Sequence, residues 1–484
     1  MTLRRACFLI LILLLTSSAI SSSFSLAQAQ DRATALFDAG YQQYKDGRYA
    51  EAVESFKEVI RLRSNSPEAQ YNLGISYYGL KRYPEGIAAL REAIRLKPGY
   101  YDAYVSLGNA LDNSGQKSDA ISAYQQAIGA DPSKPAAYAE MGVVYYAMNT
   151  YQKALEAFQQ CARLKPDYPR VQRNIGDAYL SLKSYPEALA AYNIAVSQNP
   201  SDYAVYYAIG NTNYNLKKYT EAAASYRESM RLKPDYYEAY VFLGNSLDYA
   251  GQRSDAIAAY QQATKIDPSR ADAYSEMGVA YNSAKLYDKA LESYQQGIRL
   301  KPDYPKLQRN IGVTYHNLGR NEEAAAAYKT AISQKPDDYE AFLKLGDVYE
   351  GMKQHSDAIA AYSNALRVKS DYGDAYFGLG NVYYNTEKYD EAATDYKQAV
   401  HSDPEWAVAW YYLGDAYKKL NRSPDAIAAY KEAIRVKPDY ADVHFRLGSL
   451  YVEQGDKDSA MKEYQALLDL KSSLAADLLA KIQK

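Results

Sequence analysis

The stretch Leu107–Ala127, LGNALDNSGQKSDAISAYQQA, returns almost unchanged as Leu243–Ala263, LGNSLDYAGQRSDAIAAYQQA, 136 residues later. Within it, Gly108 and Ala120 belong to a shorter period. Glycine recurs every 34 residues at Gly40, Gly74, Gly108 and onwards without a gap to Gly448, thirteen times in all. Calling this glycine position 8 sets repeat starts at 33, 67, 101 and so on to 441, and the last repeat ends at 474. Position 20 is Ala in every repeat but one, where it is Gly86; position 24 is aromatic except at Leu90. Position 32 is Pro in ten of the thirteen, with Ser64, Ser370 and Ser472 as departures.

The spacing predicts two helices per repeat. Positions 4, 7, 8 and 11 form one apolar or small stripe and positions 20, 21, 24, 27 and 28 a second. Position 15, often Gly, Lys or Asn, marks the turn between them. Pro at position 32 stops the second helix. Pro67, Pro135, Pro169 and Pro305 are expected to open first helices, where a missing N–H costs nothing. Glycine inside a helix costs roughly 0.5–1 kcal/mol, so its retention at position 8 predicts a close helix crossing there, against the small residue at position 20.

This pattern resembles the tetratricopeptide repeat family over about nine-tenths of the chain. The aromatic usual at position 4 is present as Tyr104, Tyr138, Tyr206, Tyr240, Tyr274, Phe342, Tyr376 and Trp410; Gln70, Gln172, Gln308 and His444 depart from it. The resemblance implies an all-α solenoid of thirteen helix–turn–helix repeats, coiled as a right-handed superhelix of rather less than two turns. Its concave groove would be lined by first helices. The tail 475–484, AADLLAKIQK, is expected to form a capping helix.

Composition agrees with one repeated design. No Gly/Ser linker or charge run divides the 484 residues, and Tyr, at 53 against 9 Phe and 2 Trp, suits half-buried surfaces. Residues 1–29 stand apart. Arg4 and Arg5, the apolar run Ala6–Leu15 and the Ala27-Gln28-Ala29 site have the order of a secretory signal peptide. The run is too short for the ~20 residues of a membrane span, and Cys7 precedes it, unlike a lipoprotein cysteine. The expectation is export to a periplasm or the exterior, with no membrane span after cleavage. Without those two arginines the chain carries 54 basic against 58 acidic residues, which offers no footprint for nucleic acid. Cys161 is then the single cysteine and, at position 27, a core residue.

No catalytic constellation is encoded, and no cofactor or metal is implied. His316, His355, His401 and His444 have no metal-ligand spacing, and there is no phosphate loop or nucleophile elbow. Asn421-Arg422-Ser423 matches a glycosylation acceptor that matters only in a eukaryote.

Positions 2, 5, 9 and 12 share one face of the first helix, the face that lines the groove in the related family. Here that face carries Tyr71, Tyr207 and Tyr411 at position 5, Asn109, Asn211, Asn245, Asn381 and Asp415 at position 9, and Tyr78, Tyr214 and Tyr384 at position 12. Aromatic faces beside amides suit an extended peptide or a polysaccharide. The same tyrosines also suit packing between adjacent first helices. The family's carboxylate clamp is incomplete: Asn109 and Asn245 match, but Val105 and Val241 stand where Lys belongs, and Glu140 and Glu276 where Asn belongs. The four-repeat duplication puts basic residues on this face twice, Arg170 with Arg173 and Lys306 with Arg309, as candidate anchors for an acidic ligand. The leading expectation is a non-catalytic scaffold for partner polypeptides. The alternative is a carbohydrate-facing accessory in polysaccharide secretion or cell-envelope assembly.

Overall fold

The computed structural model describes residues 28–484; the N-terminal segment 1–27, with most of the expected signal peptide, lies outside the described residues. Every regular element among the described residues is helical. The chain forms two compact bodies, one ending at Ser246 and the other spanning Leu247–Lys484. In each, a first helix (A) and a second helix (B) alternate, and each helix packs on its sequence neighbours. The opening A helix covers residues 28–45. Typical later pairs are Pro67–Gly79 with Tyr83–Leu96, and Tyr101–Asn113 with Lys117–Ala130.

The A–B turn is built the same way throughout. Position 15 takes a left-handed conformation in every repeat, from Gly47 (φ 75°) and Lys81 (59°) to Asn421 (56°) and Gly455 (78°). The next residue's N–H then reaches back to the carbonyl of position 11, as in Arg82 to Tyr77 (2.9 Å) and Gln116 to Leu111 (2.8 Å). This satisfies a carbonyl that the end of helix A would otherwise leave free. Some A helices are capped by a side chain: Ser66 Oγ accepts from the Ala69 N–H, and Asp338 Oδ1 from that of Ala341.

The core of each repeat centres on position 24. Tyr124, Tyr192, Tyr226, Tyr362, Tyr396 and Tyr430 are all fully buried, as are the alanines at position 20. The position-8 glycine is required by that ring rather than by the small residue at position 20. A Cβ on Gly108 would lie 2.4 Å from Tyr124 Cε1. Where Leu90 and Gly86 replace ring and alanine, backbone also approaches position 8: the Gly86 carbonyl lies 3.2 Å from a Cβ on Gly74.

Two local departures follow from backbone and termini. Pro67, Pro135 and Pro305 open their A helices, but Pro169 does not. Arg170 is left-handed (φ 61°) and the Val171 N–H bonds the Tyr168 carbonyl, so that helix starts only at Val171. After the last hairpin, helix Leu474–Ile482 buries Ala475, Leu478 and Ile482 against the final pair. Leu478 fills the space over Gly448 that the position-24 ring fills elsewhere.

Candidate polypeptide-binding face

The A-helix face is tied into the core from below. The Tyr124 hydroxyl donates to Asn109 Oδ1 at 2.7 Å, Tyr226 to Asn211 at 2.7 Å, Tyr396 to Asn381 at 2.8 Å and Tyr430 to Asp415 at 2.5 Å. Tyr192 does the same with Asp177 (2.7 Å) and Tyr362 with Asp347 (3.0 Å). Burial raises the pKa of each of these phenols, so they remain neutral donors. Burial also raises the Asp177 carboxyl, against the lowering effect of Tyr192 and Arg173. Where position 9 is Val143 or Ile75, position 24 is Phe158 or Leu90, with no hydroxyl to satisfy. Position 9 is therefore anchored first: one oxygen of Asn109, Asn211 or Asn381 is committed inward, which fixes the amide NH₂ as the outward donor. Asn245 holds the same position in repeat seven.

The aromatics at position 5 lean on the loop between repeats. Tyr71 packs on Tyr100 with ring centroids 5.1 Å apart, Tyr207 on Tyr236 at 5.0 Å and Tyr411 on Tyr440 at 5.7 Å. A lysine covers each loop ring: Lys97 Nζ is 4.4 Å from the Tyr100 centroid, Lys233 5.2 Å from Tyr236 and Lys437 4.9 Å from Tyr440. Burial lifts the Tyr100 and Tyr236 phenols to about 12. These loop tyrosines escaped sequence reasoning. Their signal is the recurring Lys-Pro-x-Tyr segment, as in Lys97–Tyr100 and Lys233–Tyr236.

Position 12 is matched to position 17 across the A–B turn. Tyr78 packs on Tyr83 (5.7 Å), Tyr214 on Tyr219 (5.6 Å) and Tyr384 on Tyr389 (5.4 Å). Where position 12 is Asp112, Asp248 or Glu350, position 17 is Lys117, Arg253 or His355. Neighbouring A helices are also linked: Asn113 Nδ2 donates to the Tyr78 hydroxyl (3.0 Å), and the Tyr146 and Ser181 hydroxyls meet at 2.9 Å.

The basic residues differ between the duplicated copies. Lys306 binds Glu276 at 2.9 Å, and Arg309 binds Asp338 at 2.9 Å and Glu340 at 2.5 Å, so both are neutralised within the chain. Arg173 lies 3.7 Å from both Asp177 and Asp202. Arg170 and Arg173 border a cleft of about 310 Å³ with Gln198 and Asn199. Among the described residues no three His, Cys, Asp or Glu side chains could hold a metal ion, and no helix is long and apolar enough to cross a membrane. Cys161 is fully buried, and burial pushes its thiol up to about 11.

Repeated helix pairs stacked on their sequence neighbours, with one face built from tethered polar and aromatic side chains, define an α-solenoid of the interaction class. The tetratricopeptide repeat pattern matches residues 27–101, 105–169, 173–237, 243–305, 343–405, 377–417 and 441–473, and a further repeat pattern of this kind matches 315–353 and 414–455. The chain belongs to the tetratricopeptide repeat family. Among solved structures it is similar to the APC/C hetero-tetramer Cut9–Hcn1 (15% identity, 94% of this chain and 96% of that one, TM-score 0.39). It is also similar to yeast Tom70 (13% identity, 94% and 99%, TM-score 0.42). No curated protein matches it.

Proposed function

We propose that this protein is a non-catalytic scaffold whose A-helix face binds extended segments of partner polypeptides. The observation that carries the reading is the tethering at position 9. Asn109, Asn211 and Asn381 each give their side-chain oxygen to a buried tyrosine, which leaves the amide NH₂ as the outward donor. Fixed donors beside half-buried aromatic rings, as each body presents them, suit the carbonyls and side chains of an extended peptide. The rings of Tyr71, Tyr207 and Tyr411 are already packed on other tyrosines, which favours peptide over stacked sugar. Family membership supports the same reading.

Export belongs to the same proposal and rests on Arg4, Arg5, Ala6–Leu15 and Ala27-Gln28-Ala29. Intact mass of the protein from an envelope fraction checks it; a retained N-terminus would refute cleavage.

The binding test uses Asn109→Asp, Asn211→Asp and Asn381→Asp together. Aspartate keeps the oxygen that each tyrosine needs but replaces the outward donor by an acceptor. Native chain and variant are immobilised and exposed to an envelope extract of the source organism. Polypeptides held by the native chain and lost from an equally stable variant support the reading. Retention by both places binding elsewhere, and retention of polysaccharide alone overturns it.

A further inference from the structure

The four-repeat duplication gives the chain two copies of one A-helix surface, and the copies differ in how their charges are spent. In the later copy Asp248 faces Arg253 at 3.5 Å, Glu276 holds Lys306 at 2.9 Å, and Arg309 is gripped by Asp338 and Glu340. The earlier copy has Asp112, Lys117, Glu140, Arg170, Arg173, Asp202 and Ala204 at the same places. Two of its pairs are not made, Asp112 with Lys117 and Glu140 with Arg170, while Arg173 keeps a longer pair with Asp202. Lys117 Nζ donates to the Ala147 carbonyl (3.4 Å) rather than to Asp112. Arg170 is turned aside by its left-handed backbone (φ 61°). Ala204 removes the carboxylate that Glu340 supplies to Arg309, and Arg173 rests 3.7 Å from its acids. Among the described residues neither Asp112 nor Glu140 has an ion-pair partner. The charge acting on half-buried Glu140 is that of Asp112, which raises its pKa further after burial has done so.

A second feature adjoins these carboxylates. Val143, one turn along the same helix from Glu140, floors a hollow of about 120 Å³ with Tyr146 and with Phe158 of the following helix, rimmed by Asn174 and Asp177. Val143 is 44% exposed, an apolar residue left open on this face.

We propose that this surface, in the body ending at Ser246, seats a partner polypeptide segment in which a lysine or arginine adjoins an aliphatic residue, the cation meeting Asp112 and Glu140 and the aliphatic side chain entering the hollow. The later copy identifies the occupant: its equivalent of Glu140 already holds an ammonium, that of Lys306. The earlier copy offers the same seat with no ammonium of its own, which is charge complementarity for a cation from outside. The Tyr78 ring, whose hydroxyl feels both Glu140 and Asp112, stands by to face that cation. This inference rests on the polypeptide-binding reading above.

The test measures binding of the purified chain to labelled synthetic peptides of Gly/Ser background with Lys-Leu, Arg-Leu, Gln-Leu or Glu-Leu at the centre. Lys-Leu and Arg-Leu are expected to bind roughly tenfold or more tighter than Gln-Leu, with Glu-Leu weakest. Glu140→Gln alone, isosteric and fold-preserving, reduces that preference, and Asp112→Asn with Glu140→Gln abolishes it. Asp248→Asn, in the neutralised copy, leaves it unchanged. A preference for Glu-Leu, or one that survives the double variant at an unchanged melting temperature, overturns the inference. Charge-blind peptide binding that is lost in the triple Asn→Asp variant overturns it while leaving the scaffold reading standing. If no peptide binds and the extract yields no polypeptide, both fail.

Discussion

A Cβ on Gly176 would sit 2.4 Å from Cε1 of Tyr192, a ring that is fully buried and pinned by its bond to Asp177. The ring has nowhere to move, so Gly176→Ala is expected to destabilise by about 1–3 kcal/mol through overpacking, offset by under 1 kcal/mol of helix propensity. The shift of the urea midpoint measures it. Tyr226→Phe removes only the hydroxyl and leaves the inward oxygen of Asn211 without its donor; a loss of about 1 kcal/mol is expected. The same change at Tyr328, whose position-9 partner is Val313, breaks no such bond, and a smaller loss there is the control. The glycines and position 24 were legible as a frame. The hydroxyl-to-amide link was not, because it spans fifteen residues and a turn, and tyrosine in a repeat frame reads as apolar filler. That link changes the meaning of Asn109 and its equivalents. They hold the core as well as facing outward, and a change to Ala would confuse the two roles.

The A–B turn makes its demand on backbone alone. No atom lies within 4 Å of a Cβ on Gly115 (φ 85°), yet Gly115→Ala is expected to cost about 1 kcal/mol, because L-residues resist the left-handed region. Glu387, at φ 64° in the equivalent turn, should gain several tenths of a kcal/mol on change to Gly. Opposite signs in parallel thermal melts check both. Sequence reading placed this turn correctly because Gly, Asn and Lys mark it. It misplaced the start of the helix after Pro169, because proline signals a permitted start and cannot report that Arg170 would adopt the left-handed region. At the last A helix, His444 Nδ1 meets Glu463 at 2.6 Å and Nε2 meets the Pro438 carbonyl at 3.0 Å. Both ring nitrogens face acceptors, so the site fits the imidazolium, and the bond to Glu463 raises the pKa against the opposing effect of burial. A raised folded pKa gives stability that is complete below the ordinary histidine value of about 6.5 and is lost as pH rises through the raised value. Hydrogen exchange in Ala441–Asp469 should therefore quicken with pH beyond its intrinsic rise, and His444→Gln should remove that excess.

Across the chain, each body is stabilised by repetition: a repeat buries its apolar stripe on its neighbours. The end of such an array needs a lid, and helix Leu474–Ile482 buries Leu478 completely over the last pair. Ending the chain at Asp469 is expected to strip exchange protection from the last hairpin while leaving helices before Ala407 unchanged; uniform loss would contradict nearest-neighbour stabilisation. Repeat number, helix order and the candidate face were legible because they recur. The unequal charge balance of the duplicated copies was not: Arg170 and Lys306 read alike in sequence, and only backbone geometry and the partner at 204 or 340 separate them. The couplings 9–24, 12–17 and 5–34 each close inside a single repeat, as Asn211–Tyr226, Tyr78–Tyr83 and Tyr71–Tyr100 illustrate. A recombination event that inserts or deletes whole repeats with its breakpoints between repeats therefore severs none of them. Array length can drift by unequal crossover without passing through an unfoldable intermediate. The near-identity of Leu107–Ala127 and Leu243–Ala263 is the trace of one such event, after which one copy was free to diverge.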